Sequence, residues 1–470
     1  MTIKELPDEI LLAIFGFCMA YPLPLPYYEE DAWHTLVHVC RRWRYVVFAS
    51  PRHLNLRLLC MNKRLMKTLD IWPPLPIAIH VDDKEIRSLP SVTDVISVLK
   101  RNDRVCKIFI DGVPDSLLEA VVATTEPFPE LIELELASFR KDTPILPDAF
   151  LGGSTPRLRS LLLWGIPFPG VWKLLSSTSD LVVLTLGFIP NSGYISPEAM
   201  AATLSTLTRL QSLHLSFETP QFWNQEPNRL LSAASALTRF MLPALTTFDF
   251  AGNSKYLGDI VSRIDAPLDY IAITVTFHDQ DRRVFDFPLL RDFICRTNIL
   301  KAPHRAEISF SNSYSRISLF QGKEGGDFKV LNLAIPCYTT DSQLSGLAQA
   351  CSSLLLPLPN LEHLSIYKSK YEISPLRWQN EVENTQWMEL LCPFITVKDL
   401  VLDEPVVLSV ASALQELVGE QVTEILPTLK NIFLEGFASS SPVPEGIAKF
   451  IAERELYGCP VVVRHQETKE

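Results

Sequence analysis

Apolar residues near the start of the chain recur every three or four positions. Ile10, Leu11, Ile14, Phe15 and Cys18 follow Leu6-Pro7-Asp8-Glu9 at that spacing, which predicts a helix with these five on one face. Pro7 suits the first turn, where its missing N–H would lack a helical partner, and Asp8 and Glu9 sit where the helix dipole favours negative charge. Pro22, Pro24 and Pro26 end the helix. A second helix starts near Asp31, with Leu36, Val39, Cys40, Trp43, Val46 and Val47 on one face and His38, Arg41, Arg42 and Arg44 on the other, and Ser50-Pro51 closes it. Two or three short helices bury little surface alone, so their large apolar residues should dock onto the rest of the chain or onto a partner.

The period then changes. Arg52 to Leu58 alternates apolar and polar residues and predicts a strand; Met61 to Leu69 reads as a short helix; Ile77 to Val81 is again strand-like. Between them, Pro73, Pro74 and Pro76 exclude regular helix or central strand. From about residue 105 a unit L-x-x-L-x-L returns, often with proline two places ahead of it. Its first leucines are Leu131, Leu158, Leu181, Leu210, Leu245, Leu361 and Leu429, and the first four steps are 27, 23, 29 and 35 residues. The second and third apolar positions are two apart, so both face one side of a short strand. Helix-like stretches such as Ser116 to Ala123, Ser196 to Leu207 and Asp341 to Leu356 lie between units. Strand plus helix at this period describes leucine-rich repeats with insertions.

The expected architecture is therefore α/β: a small helical module at residues 1–51, a transition at 52–104, and an irregular leucine-rich-repeat solenoid with a parallel curved sheet at 105–464. Regular repeats place Asn or Cys three residues after the last strand apolar position. Here Phe139, Ile166, Ile189, Glu218, Asn253 and Phe437 stand there, and only Asn253 matches. Between about 268 and 335 the pattern blurs, with Ile271 to Ile273, Ala306 to Phe310 and Val330 to Leu333 expected as strands of further degenerate repeats. The end reads as a helix from Pro444 to Cys459, a strand at Val461 to Val463 and a polar tail at 465–470.

Composition adds bounds. The chain has 470 residues, 47% hydrophobic and 21% charged, with a formal net charge of −11. A sizeable core is expected, and phosphate binding is not, because it needs a basic surface. Local basic residues (Lys63, Arg64, Lys67 and the arginines from 41 to 57) read as solvated helix faces rather than a nucleic-acid patch. The nine cysteines contain no C-x-x-C pair, so buried thiols in a reducing compartment are expected rather than disulfides or zinc. The first apolar stretch, Ile10 to Tyr21, follows acidic rather than basic residues and is shorter than the about 20 residues of a membrane span. A soluble protein of the cytoplasm, the nucleus or both is expected, with no membrane partner.

Leu6-Pro7-Asp8-Glu9-Ile10-Leu11, then Ile14-Phe15, then Val39-Cys40-Arg41-Arg42-Trp43-Arg44 resembles the F-box motif, L-P-x-E-I-L-x-x-I-F followed by a spacer and V-C-[RK]-x-W-[RK]. The match covers roughly residues 3 to 50 and departs from the pattern in its spacer, Tyr21 to Glu30. The aromatic-proline turn that follows resembles the linker of large fungal-type F-box families. The resemblance implies docking to a Skp-type adaptor of a cullin-RING ubiquitin ligase. The positions matching the family's contact surface are Leu6, Pro7, Ile10, Leu11, Ile14, Phe15, Val39, Cys40 and Trp43.

No motif for chemistry accompanies it. H-E-x-x-H, G-x-S-x-G, P-loop and G-x-G-x-x-G patterns are absent. His278-Asp279-Gln280-Asp281 lacks a second ligand at metal spacing and reads as a loop, and Cys392 lies in an apolar context unsuited to a nucleophile. No catalytic residue, cofactor or metal is expected. The leading expectation is a non-enzymatic substrate adaptor: the helices hold the ligase and the repeats hold an unidentified protein substrate. The alternative is a repeat scaffold or receptor with no ubiquitin role, its N-terminal helices merely capping the first repeat. A third, an enzyme with an unrecognised site, would need a pocket of convergent polar groups. Proteolysis at 72–76 would release a separable module under the first expectation and not under the second.

Overall fold

The structure, a computed structural model, describes residues 6–20, 32–51, 53–60, 69, 71–82, 91–112, 115–140, 143–218, 239–267, 271–278, 287–297, 299–301, 303–323, 326–336, 340–354, 358–369, 384–437 and 441–466. All of the helix expected at 61–69 except Leu69, which lies in a turn, the spacer at 21–30 and the tail from 467 lie outside these residues. Mixed α/β architecture with a mostly parallel sheet, as expected, describes both of the compact units into which the chain divides, residues 1–195 and 196–470.

The first unit opens with three helices, α1 (Asp8–Ala20), α2 (Ala32–Val39) and α3 (Arg41–Ala49). Six strands follow in parallel, side by side in chain order: β1 (Leu58–Cys60), β2 (Ile77–Asp82), β3 (Val105–Asp111), β4 (Glu133–Ala137), β5 (Ser160–Trp164) and β6 (Val183–Ile189). Each of β4, β5 and β6 begins two residues after its leading leucine, and those leucines are fully buried. The repeat unit thus supplies a turn residue that plugs the core, then two inward strand residues. Across the sheet these form rows: Ile108, Leu134, Leu161 and Leu184 are register partners, as are Ile110, Leu136, Leu163 and Leu186. All eight are at most 3% exposed. Each such side chain contributes about 1.5–3 kcal/mol by leaving water. The helix Val92–Leu99 starts where sequence chemistry dictates: the Ser91 side chain accepts from the Asp94 N–H at 3.2 Å, and the Ser91 N–H donates to the Asp94 carboxylate at 3.3 Å.

In the second unit ten strands form the order β7-β9-β11-β14-β13-β12-β15-β16-β17-β18. They are β7 (Ser212–Phe217), β9 (Thr247–Gly252), β11 (Ala272–Phe277), β12 (Arg305–Phe310), β13 (Tyr314–Lys323), β14 (Gly326–Pro336), β15 (His363–Lys368), β16 (Asp399–Asp403), β17 (Asn431–Glu435) and β18 (Val462–Gln466). A separate parallel pair joins β8 (Phe240–Met241) to β10 (Ile264–Asp265). Leu210, Leu245, Leu361 and Leu429 each precede their strands by two residues, as in the first unit. Asn253, the one residue at the repeat's asparagine position, accepts from the Lys255 N–H at 2.8 Å and caps the helix Ser254–Val261.

Several expectations are corrected. Of the strand expected over 52–58, Arg52 lies outside the described residues and His53 to Arg57 are not in a strand; residues 53–55 turn, with Asn55 at φ 50°, and the ladder starts only at Leu58. Leu54 and Leu56 are still buried, by hydrogen-bonded turns onto Ser50 and Pro51 rather than by pairing with a strand. Between 305 and 336 no strand-plus-helix repeat occurs. β13, which the pattern did not reveal, pairs antiparallel with both β12 and β14. The reason is chain length: three residues separate β12 from β13, whereas a parallel crossover needs a dozen or more. β16 was also missed, because Val397 stands where the unit has leucine. The last helix is Glu445–Leu456, and β18 runs two residues into the stretch expected as tail.

Arg454, on that last helix, is fully buried. Its guanidinium donates to the carbonyls of Val422 (2.9 Å), Leu426 (3.2 Å), Pro427 (3.2 Å), Ile425 (3.3 Å) and Cys459 (3.3 Å). Leu426 lies at φ 49°, so the loop that places these carbonyls is itself strained. One arginine therefore supplies donors to the carbonyls of the short helix Gln421–Glu424 and of the turn that follows it. Among the described residues no helix is long and apolar enough to cross a membrane.

Candidate docking interface

The two apolar faces read from the sequence are each divided by the fold. On α1, Leu11 and Phe15 are fully buried, whereas Ile10 is 48% and Ile14 38% exposed. Packing of α1 against α2 and α3 uses the edge of the stripe bearing Leu11 and Phe15; the Phe15 ring lies 4.8 Å from that of Trp43. Phe17, three residues beyond Ile14, is 69% exposed, so Ile10, Ile14 and Phe17 form an outward apolar line at i, i+4 and i+7.

The expected second helix is two helices, broken at Cys40. That residue is extended (φ −159°), and its Sγ accepts from the Trp43 N–H at 3.4 Å, taking the part of an N-cap. The break leaves Val39 58% exposed and Cys40 exposed at the junction. Of the nine positions singled out, Pro7, Ile10, Ile14, Val39 and Cys40 are thus open to solvent, and Leu6 and Trp43 are half-buried. Leu11 and Phe15, also among the nine, face inward and are fully buried within the module.

Two further residues shape this side of the module: Arg42, read from the sequence as solvated, and Tyr45, not among the positions singled out from the sequence. Arg42 donates to the Asp8 carboxylate at 2.6 Å and 3.1 Å and to the Leu6 carbonyl at 2.5 Å, tying the start of α1 to the start of α3. Both ends of the ion pair are partly exposed, so its charge term is small; its effect is to fix the Leu6-Pro7 turn beside α3. Tyr45 is 71% exposed and, with Arg41, Arg44, Phe48 and Ala49, lines an open hollow of about 400 Å³. Extending the three-four spacing by one step would have found Phe17; nothing in the sequence pattern marks Arg42 or Tyr45.

The opposite side of the module is closed. Trp33 is buried and donates from Nε1 to the Arg57 carbonyl at 3.2 Å. Its ring, that of Phe48 and the imidazole of His34 surround Trp72, with His34 stacked on Trp72 at 5.1 Å. Leu75 is buried, and Arg104 donates to its carbonyl at 2.9 Å. The 72–76 stretch expected as a protease-sensitive hinge is therefore packed and hydrogen-bonded, and proteolysis there does not separate the two readings.

Among the described residues, titratable groups meet in the second unit, where His304 Nε2 lies 3.4 Å from the Asp327 carboxylate and His363 Nδ1 2.9 Å from that of Asp399. No set of three or more His, Cys, Asp or Glu side chains among the described residues is placed to hold a metal ion. His278 follows β11 directly, and Asp279 to Asp281 lie outside the described residues. Eight cysteines lie among the described residues, as thiols rather than disulfides. Cys60, Cys106 and Cys351 are buried, and burial pushes the Cys351 thiol pKa up, away from thiolate formation. Cys18, Cys40, Cys295 and Cys392 are exposed, so burial of the thiols holds for only part of the set; Cys392, expected in apolar surroundings, sits between buried Leu391 and Phe394 yet faces solvent.

What the module can do is bury apolar surface. Ile10, Ile14 and Phe17 on α1 and Val39 on α2 leave apolar side chains in water. Compared with known proteins, the chain matches no family model and no curated protein.

Proposed function

We propose that this chain is the substrate-recognition adaptor of a Skp/cullin/F-box ubiquitin ligase. In this reading the N-terminal helices form an F-box that docks a Skp-type adaptor, and the strands behind them form an irregular leucine-rich-repeat solenoid that holds a protein substrate. The chain performs no chemistry; partner subunits transfer ubiquitin, and it supplies proximity, in the cytoplasm or the nucleus. One observation carries the proposal. The helical module has two faces: one is packed on Trp72 and Arg57, and the other presents Ile10, Ile14, Phe17 and Val39 to solvent. A module that served only as a cap would have no use for the second face.

The test is capture of the full chain by purified Skp-type adaptor. Ile14→Asp/Phe17→Asp should abolish capture and leave the melting temperature unchanged, because both side chains already face water. Leu408→Asp, at an equally exposed leucine of the second unit, serves as control and should bind normally. Undiminished capture of the Ile14/Phe17 variant would sink the proposal.

A second reading, a repeat scaffold or receptor without a ubiquitin role, draws support from the aromatic cluster around Trp72, which builds the helices onto the strands that follow as a cap would. Failure of any Skp-type adaptor to bind a folded chain would favour it.

A further inference from the structure

The outer face of the sheet in the first unit carries a row of side chains in register across five strands: His80, Phe109, Glu135, Leu162 and Thr185. The His80 imidazole is stacked on the Phe109 ring, with centroids 4.2 Å apart and planes within 5°. The neighbouring row holds Asp82, Asp111, Ala137, Trp164 and Gly187. A Cβ at Gly187 would lie 2.1 Å from the Trp164 ring, so that ring lies flat over β6, and Phe188 flanks it at 5.1 Å. The third row contributes Lys107 and Glu133, which pair at 2.8 Å.

The charge on this face is one-sided. Asp82, Asp111, Glu133 and Glu135 stand with Lys107 as the one lysine or arginine among the outward positions of these rows. Glu135 is the informative member. It is half-buried between Phe109 and Leu162, and among the described residues its carboxylate has no hydrogen bond or ion pair. Loss of water and the nearby carboxylates of Asp111 and Glu133 push its pKa up, with Lys107 only partly offsetting them. A carboxylate held in that state gains from a cation brought to it, and an aromatic face beside it adds attraction for the same cation. Phosphate-bearing ligands would be repelled. A metal ion lacks a ligand set, since no three-residue group suited to one occurs among the described residues. An ammonium or guanidinium on a chain fits both the single carboxylate and the ring.

We propose that this face seats an extended basic segment of a partner protein, with a Lys or Arg side chain set between the Glu135 carboxylate and the Phe109 ring. At about 4.8 Å per strand, the five-strand row spans about 20 Å, the length of roughly six extended residues. Leu162 and the Trp164–Phe188 pair then lie under the segment's apolar positions. The inference rests on the adaptor reading only in calling that partner a substrate; the face itself does not depend on adaptor docking.

The test uses the full chain and a fluorescein-labelled ten-residue peptide of alternating Arg and Ser, read by fluorescence anisotropy, with an alternating Glu and Ser peptide beside it. The basic peptide should bind, more weakly as salt rises, and the acidic one should not. Glu135→Gln, near-isosteric and uncharged, should weaken binding about tenfold, the loss of one charge-assisted contact in a half-buried site. Phe109→Leu, which keeps the apolar bulk, should weaken it about threefold by removing the ring. The charge-matched Glu420→Gln, on an exposed residue of the second unit, should bind like the parent. Equal binding of both peptides, parental affinity in the Glu135 and Phe109 variants, or an equal loss in the charge-matched control would overturn the proposal; in the last case only the bulk negative charge attracts the peptide. Adaptor capture by the same preparations is a separate readout. Lost peptide binding with capture intact refutes this inference alone, and the converse refutes the adaptor reading and leaves the face standing.

Discussion

Replacing Arg454 with methionine should destabilise the second unit by about 3–4 kcal/mol. The side chain is fully buried, and its three nitrogens donate to five carbonyls, Nη1 alone being shared among three; four lie at 3.2–3.3 Å and one, Val422, at 2.9 Å. Methionine keeps much of the volume and donates nothing. The Leu426 carbonyl would keep the Leu429 N–H at 3.0 Å as a donor, so four carbonyls lose the partner described for them. A buried unsatisfied acceptor costs about 1–3 kcal/mol, and the long bonds place these at the low end, for about 4 kcal/mol in all. Part of that is returned, because burial disfavours the guanidinium's charge and lowers its pKa, although it stays protonated. Arg454→Lys, with three donors on one nitrogen, should lose about half as much. Urea unfolding with an unchanged m-value is the assay, supported by faster hydrogen exchange at residues 422–430. A methionine variant within about 0.5 kcal/mol of the parent would refute the reasoning, because the carbonyls would then have found water or new partners without cost.

Two further outcomes follow from the same physics. Arg42→Ala should leave global stability within about 1 kcal/mol, since the pair with Asp8 is partly exposed, yet weaken Skp-type adaptor capture by freeing the Leu6-Pro7 turn; unaltered capture would remove Arg42 from the interface. Burial raises the pKa of Asp403 from 3.8 to about 6, opposed by the Lys368 N–H that donates to it at 2.7 Å. A carboxyl whose folded pKa is raised binds more protons folded than unfolded, so its contribution to stability is present below about pH 4 and is lost as pH rises through about 6. Asp403→Asn should therefore match the parent at pH 4 and exceed it at pH 8, by at most about 3 kcal/mol; equal stability at pH 8 would contradict the raised pKa.

The strands were largely legible in the sequence. A leucine three residues before one apolar position and five before another sufficed to place β4, β5, β6, β7, β9, β15 and β17, because the inward face of a short strand allows only apolar side chains two apart. The mixed α/β class followed from the same unit alternating with helical spacing. What the pattern could not carry was pairing direction and which edge of an apolar stripe is used. β12 to β14 show alternation compatible with either direction, and the short link between β12 and β13 decided for the antiparallel one. On α1 the sequence marks Ile10, Leu11, Ile14 and Phe15 alike; only packing against α3 buries Leu11 and Phe15 and leaves Ile10 and Ile14 outside. Arg454 reads as one more surface charge on an amphipathic helix until the loop at 422–427 wraps its carbonyls around it. Glu135 likewise alternates as a solvated strand residue, and its pKa is raised by burial in the sheet and by the carboxylates of Asp111, on the neighbouring strand, and Glu133. Periodicity records the choice between water and core along one element. The partner across the sheet, and hence the chemistry of a face, is set by residues tens of positions away that only the tertiary structure brings together.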